Sequence, residues 1–169
     1  MLQRNEQNRI QELKEYLDEV GIKTAKLAEL SDIKPQHLSK ALCGTYDPNA
    51  GGPTTLSREN LIRLQFGLEQ MAYGLRHSFI TYIQEEEILK NNGKRFCPVC
   101  VSIIKERLRS YFPIIPFMQT VTGWNYSKAR NVMDVTTSSS YGNISREDCD
   151  HINIRLAEIA DNLERFIPL

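Results

Sequence analysis

Apolar residues along the first half of the chain recur at helical spacing. Ile10, Leu13, Leu17 and Val20 fall at intervals of 3, 4 and 3, which marks one face of an amphipathic helix over residues 8–20 that Gly21 stops. A second, short helix is expected from Thr24, a residue type favoured at the N-cap, through Leu27, Ala28 and Leu30. Ser31, Asp32, Ile33 and Lys34 interrupt it, and a third follows from Pro35 through Leu38, Ala41 and Leu42 to Gly44. The turn-forming stretch 45–54 then separates this group from a long helix capped by Ser57, in which Leu61, Leu64, Leu68, Met71 and Leu75 form the stripe. Its pattern weakens toward Lys90, with Gly67 and Gly74 as points where it could divide, and Asn91, Asn92 and Gly93 close it.

The same order returns 88 residues later. Ser39-Lys40-Ala41 matches Ser127-Lys128-Ala129, and Ser57-Arg58-Glu59 matches Ser145-Arg146-Glu147. The long stripe is copied as Cys149, Ile152, Leu156, Ile159 and Leu163, again behind a small, polar segment at 136–143. The pattern therefore predicts an all-α protein made of two tandem helical bundles related by internal duplication, with domains at 1–90 and 91–169.

Composition changes this picture little. The chain has 169 residues, 41% of them hydrophobic and 25% charged, which suits a globular protein of one or two small domains. No stretch is apolar enough to span a membrane, and the first residues lack a signal-peptide core, so a cytoplasmic protein is expected. Twenty-one basic and 21 acidic residues balance to zero net charge, which argues against a protein that coats nucleic acid over its whole surface. The charges are nevertheless segregated. Residues 94–133 carry seven basic groups against the single acid Glu106, and residues 144–169 carry six acids against three arginines.

Residues 24–44 resemble the helix-turn-helix of the lambda-repressor/Cro-like DNA-binding family. Leu27 and Ala28 stand where the family has an apolar and then a small residue, Asp32 where it has a tight turn (usually glycine), and Ile33 and Leu38 where it has aliphatic anchors. The small Ala28 suits a close helix crossing. The resemblance covers roughly residues 8–77, and it implies that the exposed side of the second motif helix enters a major groove about 12 Å wide. It thereby implies groove-facing Lys34, Gln36, His37, Ser39 and Lys40, with Thr24 at a helix N-terminus as a phosphate contact. In the second copy the corresponding residues are Thr122, Trp124, Asn125 and Lys128, with Arg130 nearby, and Val121 and Tyr126 hold the anchor positions. Trp124 has the alternative role of a core or interface anchor. Pro113 and Pro116 would shift or shorten the first helix of this copy.

Cys97 and Cys100 have the spacing of half a zinc site or a redox pair, with Cys149 and His151 as the remaining candidate ligands. The repeat places Cys149 on the buried stripe, and Cys43 also falls at an apolar-compatible helical position, which predicts reduced, buried thiols for these two and favours unligated thiols at Cys97 and Cys100. No metal or cofactor is expected. The chain contains no glycine-rich phosphate loop, nucleophile elbow or metalloprotease helix, and the run Glu85-Glu86-Glu87 reads as a solvated face, so an enzyme is not expected. The expectation is a sequence-specific DNA-binding transcriptional regulator whose partner is double-stranded DNA, with a homodimer through the long helices as a further association. The alternative is a protein-interaction module that keeps the fold and has lost DNA contact.

Overall fold

The computed structural model describes residues 4–43, 56–80, 101–133 and 144–169. Among these residues there are eight α-helices and no strand: α1 (Arg4–Val20), α2 (Thr24–Leu30), α3 (Pro35–Cys43), α4 (Arg58–Arg76), α5 (Val101–Leu108), α6 (Ile114–Thr122), α7 (Tyr126–Met133) and α8 (Arg146–Arg165). The all-α class expected from periodicity is what is observed. None of the helices is long and apolar enough to cross a membrane. The residues group into two compact units, one of Met1–Leu75 with Ile159–Leu169 and one of Arg76–Glu158. The domain boundary expected near residue 90, the segments 45–54 and 136–143, and the run at Glu85 lie outside the described residues.

In the first unit, local chemistry ends α1 and α2 where the sequence suggests. Gly21 takes the left-handed conformation (φ 74°), donates to the Asp18 carbonyl at 3.2 Å and lets Ile22 N–H reach the Leu17 carbonyl at 3.0 Å. This pair of bonds satisfies two orphan carbonyls of α1 and brings Ile22 into the core. The same device closes α2. Asp32 is left-handed (φ 51°), its N–H bonds to Glu29 O at 3.2 Å, and Ile33 N–H bonds to Ala28 O at 3.0 Å while its side chain is buried. Aspartate is one of the few residue types that visits this region at modest cost. The N-cap of α2 is Lys23 rather than Thr24, and it provides no side-chain bond.

α3 packs on both α1 and α2. It buries Leu38 and Leu42 and begins at Pro35, whose missing N–H would have no helical partner there in any case. α4 is capped by Ser57, whose Oγ accepts from Asn60 N–H at 3.2 Å. It buries Leu61, Leu64, Leu68, Met71 and Leu75, the stripe seen in the sequence. Gly67 does not divide the helix. It is buried because the α2–α3 turn presses on it: a Cβ there would sit 1.9 Å from Ser31 Oγ and 3.0 Å from Ser31 Cα. Leu163, Ala160 and Ile159 of α8 are buried, Phe166 lies 5.7 Å from the Tyr16 ring, and Arg9 Nη2 donates to Arg165 O at 3.1 Å.

In the second unit, α6 follows a sharp bend in which Tyr111 and Phe112 N–H groups both bond to Leu108 O and the Phe112 ring stacks on Phe117 at 4.3 Å. The prolines do not shorten α6, which runs for nine residues. Pro113 is its N-cap, and Pro116 is its third residue, still within the first turn where backbone N–H groups have no helical acceptor. Gly123, left-handed at φ 71°, ends it. α7 packs on α6 and α5 and buries Ala129, Val132 and Met133. α8 is capped reciprocally: Asp148 N–H donates to Ser145 Oγ at 3.0 Å and Ser145 N–H to Asp148 Oδ2 at 3.1 Å. Asn153 on α8 grips the backbone of Ile80, accepting from its N–H at 2.7 Å and donating to its carbonyl at 2.8 Å.

Two short helices followed by a long one thus occur twice, but not in a single register. The long helices correspond at the 88-residue offset: Leu56 and Ile144, Leu64 and Ile152, Leu68 and Leu156, Leu75 and Leu163 are all buried. The preceding helices correspond at an offset of 91, which pairs the left-handed Asp32 with Gly123, buried Ile33 with Trp124, and Leu38 and Leu42 with Ala129 and Met133. The expected anchors Val121 and Tyr126 are therefore displaced by Trp124 and Ala129. Tyr126 stands 56% exposed, whereas Trp124 is 7% exposed.

Two substitutions test this packing. Gly67→Ala should lower stability by about 1–3 kcal/mol in chemical denaturation even though alanine is the better helix former, because the turn backbone at Ser31 leaves no room for a methyl group. Asn153→Ala should cost about 1–3 kcal/mol, because it leaves both polar groups of the buried Ile80 peptide without their partner. A wild-type denaturation midpoint for either variant would contradict the corresponding contact.

Candidate nucleic-acid interface

α3 divides its residues cleanly. Leu38 and Leu42 face the core, while Gln36, His37, Ser39 and Lys40, together with Lys34 just before the helix, are exposed. A nine-residue helix with two buried leucines presents most of the rest of its circumference to solvent, and here that surface holds a lysine, a histidine, a glutamine and a serine but no acid. Four sequence-predicted residues are thus brought together on one element, with Lys34 directly before it. Thr24, half-buried at the first residue of α2, is not on it.

Beside this face lies a groove of about 630 Å³ between the α2–α3 turn and α4, lined by Ala28, Asp32, Lys34, His37, Asn60 and Arg63 among others. Arg63 was not anticipated. Its guanidinium donates to the Asp32 carbonyl at 3.1 Å and Asp32 Oδ2 at 3.3 Å, and reaches Glu59 Oε1 at 2.7 Å. It therefore fixes the left-handed turn that sets the start of α3. Only the tertiary approach of residues 31 positions apart could reveal this role.

The predicted residues of the second copy are arranged differently. Thr122 Oγ1 bonds to Met118 O at 2.6 Å and accepts from Trp124 N–H at 3.3 Å, so its hydroxyl is engaged locally. Trp124 belongs to the core, the second of the roles expected for it. Asn125 Oδ1 accepts from Lys128 N–H at 2.8 Å and so serves as the N-cap of α7. Lys128 is exposed, with its Nζ 4.6 Å from the Trp124 ring centroid, where the ring face attracts the ammonium. Arg130 is exposed. The exposed surface of α7 comprises Tyr126, Ser127, Lys128, Arg130 and Asn131, and it too contains no acid. Tyr126 was assigned to the core because the Ser-Lys-Ala match set the wrong register. The signal that corrects it is the glycine at 123, which marks the turn.

No protein-family model, curated protein or solved structure matches this chain.

Among the cysteines, Cys97 and Cys100 lie outside the described residues. Cys43 is exposed, against expectation, because it falls one residue past the buried Leu42 on the solvent side of α3. Cys149 is buried in α8, and burial, reinforced by the neighbouring carboxylates of Asp148 and Asp150, pushes its thiol up to about 11 from 9.0. His151, two residues on, is exposed. The thiolate is the nucleophile, so Cys149 should react far more slowly than Cys43 with an alkylating reagent at mildly alkaline pH. Peptide mass spectrometry of a labelling time course measures the two rates. Equal rates would contradict the burial of Cys149.

Proposed function

We propose that this protein is a sequence-specific DNA-binding regulator that reads duplex DNA with the exposed face of α3, and that α6–α7–α8 is a diverged duplicate of the α2–α3–α4 unit. The observation that carries the reading is the face itself: Gln36, His37, Ser39 and Lys40 on one short helix with Lys34 directly before it, anchored by Leu38 and Leu42, without an acidic side chain in a chain that holds 21 acids. Phosphates repel carboxylates, so a groove-binding surface is where acids should be missing even when net charge is zero. A glutamine such as Gln36 has the donor and acceptor to pair an adenine edge, and a lysine such as Lys40 the charge to contact guanine or phosphate. In the duplicate, the corresponding face is Ser127, Lys128, Arg130 and Asn131, with Arg130 supplying backbone charge. The duplicate reading is supported by the paired serine caps at Ser57 and Ser145, the paired left-handed turns, and the shared burial pattern of α4 and α8. Two such faces in one chain would contact two half-sites.

Selection of bound duplexes from a random pool should enrich a defined sequence. On that sequence, Gln36→Ala should cost roughly 1–3 kcal/mol and blur preference at one base pair, leaving binding to scrambled duplex nearly intact. Arg130→Ala should weaken binding to both duplexes and reduce the salt dependence by about one unit of slope. Salt titrations by electrophoretic shift measure both effects. A wild-type chain that binds no duplex at low salt would sink this reading in favour of a protein-interaction module on the same fold.

A further inference from the structure

α4 carries a second stripe besides its buried one. Glu59, Ile62, Phe66, Glu69, Tyr73 and Arg76 follow one another at spacings of 3, 4, 3, 4 and 3 residues, the repeat that keeps one seam of a helix facing a partner helix. Ile62 is 62% exposed, Phe66 55% and Tyr73 60%, so the three large apolar groups of the seam are uncovered. At the 88-residue offset, α8 has Asp150 in place of Ile62 and Asp161 in place of Tyr73 and keeps only Ile154 apolar. The seam is thus a property of α4 and not of a shared helical pattern.

We propose that this seam docks a second copy of the chain, α4 against α4 in antiparallel orientation. The order of residues along it is self-complementary under a two-fold axis between Gly67 and Leu68. Glu59 then meets Arg76 of the second copy, Ile62 meets Tyr73, and each pairing occurs twice, as an isologous interface requires. Phe66 lies beside Glu69 of the second copy, covering the apolar stem of a side chain whose carboxylate reaches water at the rim. A parallel pair would instead set Glu59 against Glu59 and Arg76 against Arg76, so the charges select the antiparallel register. Arg63 already lies 2.7 Å from Glu59 in the same chain, so the incoming arginine completes a small ionic cluster. From Ile62 to Tyr73 the seam is only about 16 Å long, which makes the dimer concentration-dependent rather than obligate. The inference does not depend on DNA binding.

Sedimentation equilibrium of the full chain without DNA, over a concentration series, is the test. The mass should rise from 19.5 kDa toward twice that value and go no further. Phe66→Glu should weaken the dimer roughly thirtyfold or more, the effect of removing a central aromatic anchor. Tyr73→Ser should weaken it by a smaller factor. Glu59→Arg and Arg76→Glu should each weaken association, and the two together should restore it. Far-UV circular dichroism of each variant checks helicity; if Phe66→Glu lowers it, Tyr73→Ser and the charge reversal decide. A wild type that stays at 19.5 kDa, a mass that climbs past the dimer, variants that associate like wild type, or a reversal that fails to restore association would each overturn the proposal.

Discussion

The candidate reading face depends on how the α2–α3 turn is held against α4. Ser31 sits over Gly67 so closely that no side chain fits between them, Asp32 turns the chain through left-handed backbone, and Arg63 of α4 bonds to both the carbonyl and the carboxylate of that aspartate. Ile33 then enters the core and α3 departs with its direction fixed. Leu38 and Leu42 are too few apolar groups to hold a nine-residue helix by burial alone, and an isolated helix of that length is marginal in water. The turn and its clamp supply the missing constraint. That is why a helix with a largely polar surface can be presented in one orientation.

The second unit reaches a similar arrangement with different chemistry. Gly123 takes the left-handed position without strain, so no counterpart of the Asp32–Arg63 contact is required there. Trp124 replaces the smaller Ile33, and its ring also bears Lys128. Arg155 stands where α4 has Gly67, and it pairs with Glu158 at 3.3 Å beside a groove of about 330 Å³ against α6. The two regions thus share an order of helices and a burial pattern, and differ in the residues at the turn and at the matching position of the long helix.

The two candidate faces differ in which of their polar groups are already engaged. Thr122 and Asn125 are polar residues near a helix start, the kind of signal that points to phosphate or base contact, yet their oxygens are occupied by backbone groups of their own chain. Gln36, His37, Ser39 and Lys40 of α3 are exposed, and Tyr126 is left outside by the register of α7. The uncovered seam of α4 adds a surface of a different kind, apolar in its middle and oppositely charged at its ends.

The order of the helices and the core were legible in the sequence because burial on a helix repeats every 3.6 residues: Leu61 to Leu75 and Cys149 to Leu163 are as deeply buried as their spacing implied. The stop at Gly21, the cap at Ser57 and the division of α3 between Leu38 and Lys40 were legible for the same reason, since each is fixed by residues within one or two turns. The register of α6 and α7 was not. An identical tripeptide, Ser-Lys-Ala, suggested an alignment three residues away from the one that burial defines, and it assigned Tyr126 to the core and left Trp124 between a groove-facing role and a core one. Gly67 read as a weak point in a helix, and the tertiary structure made it the point of closest approach. Local hydrogen bonding and periodicity are written in neighbouring residues, whereas the partner of Gly67, of Arg63 or of Asn153 lies tens of positions away, and only the packed chain decides which one it meets.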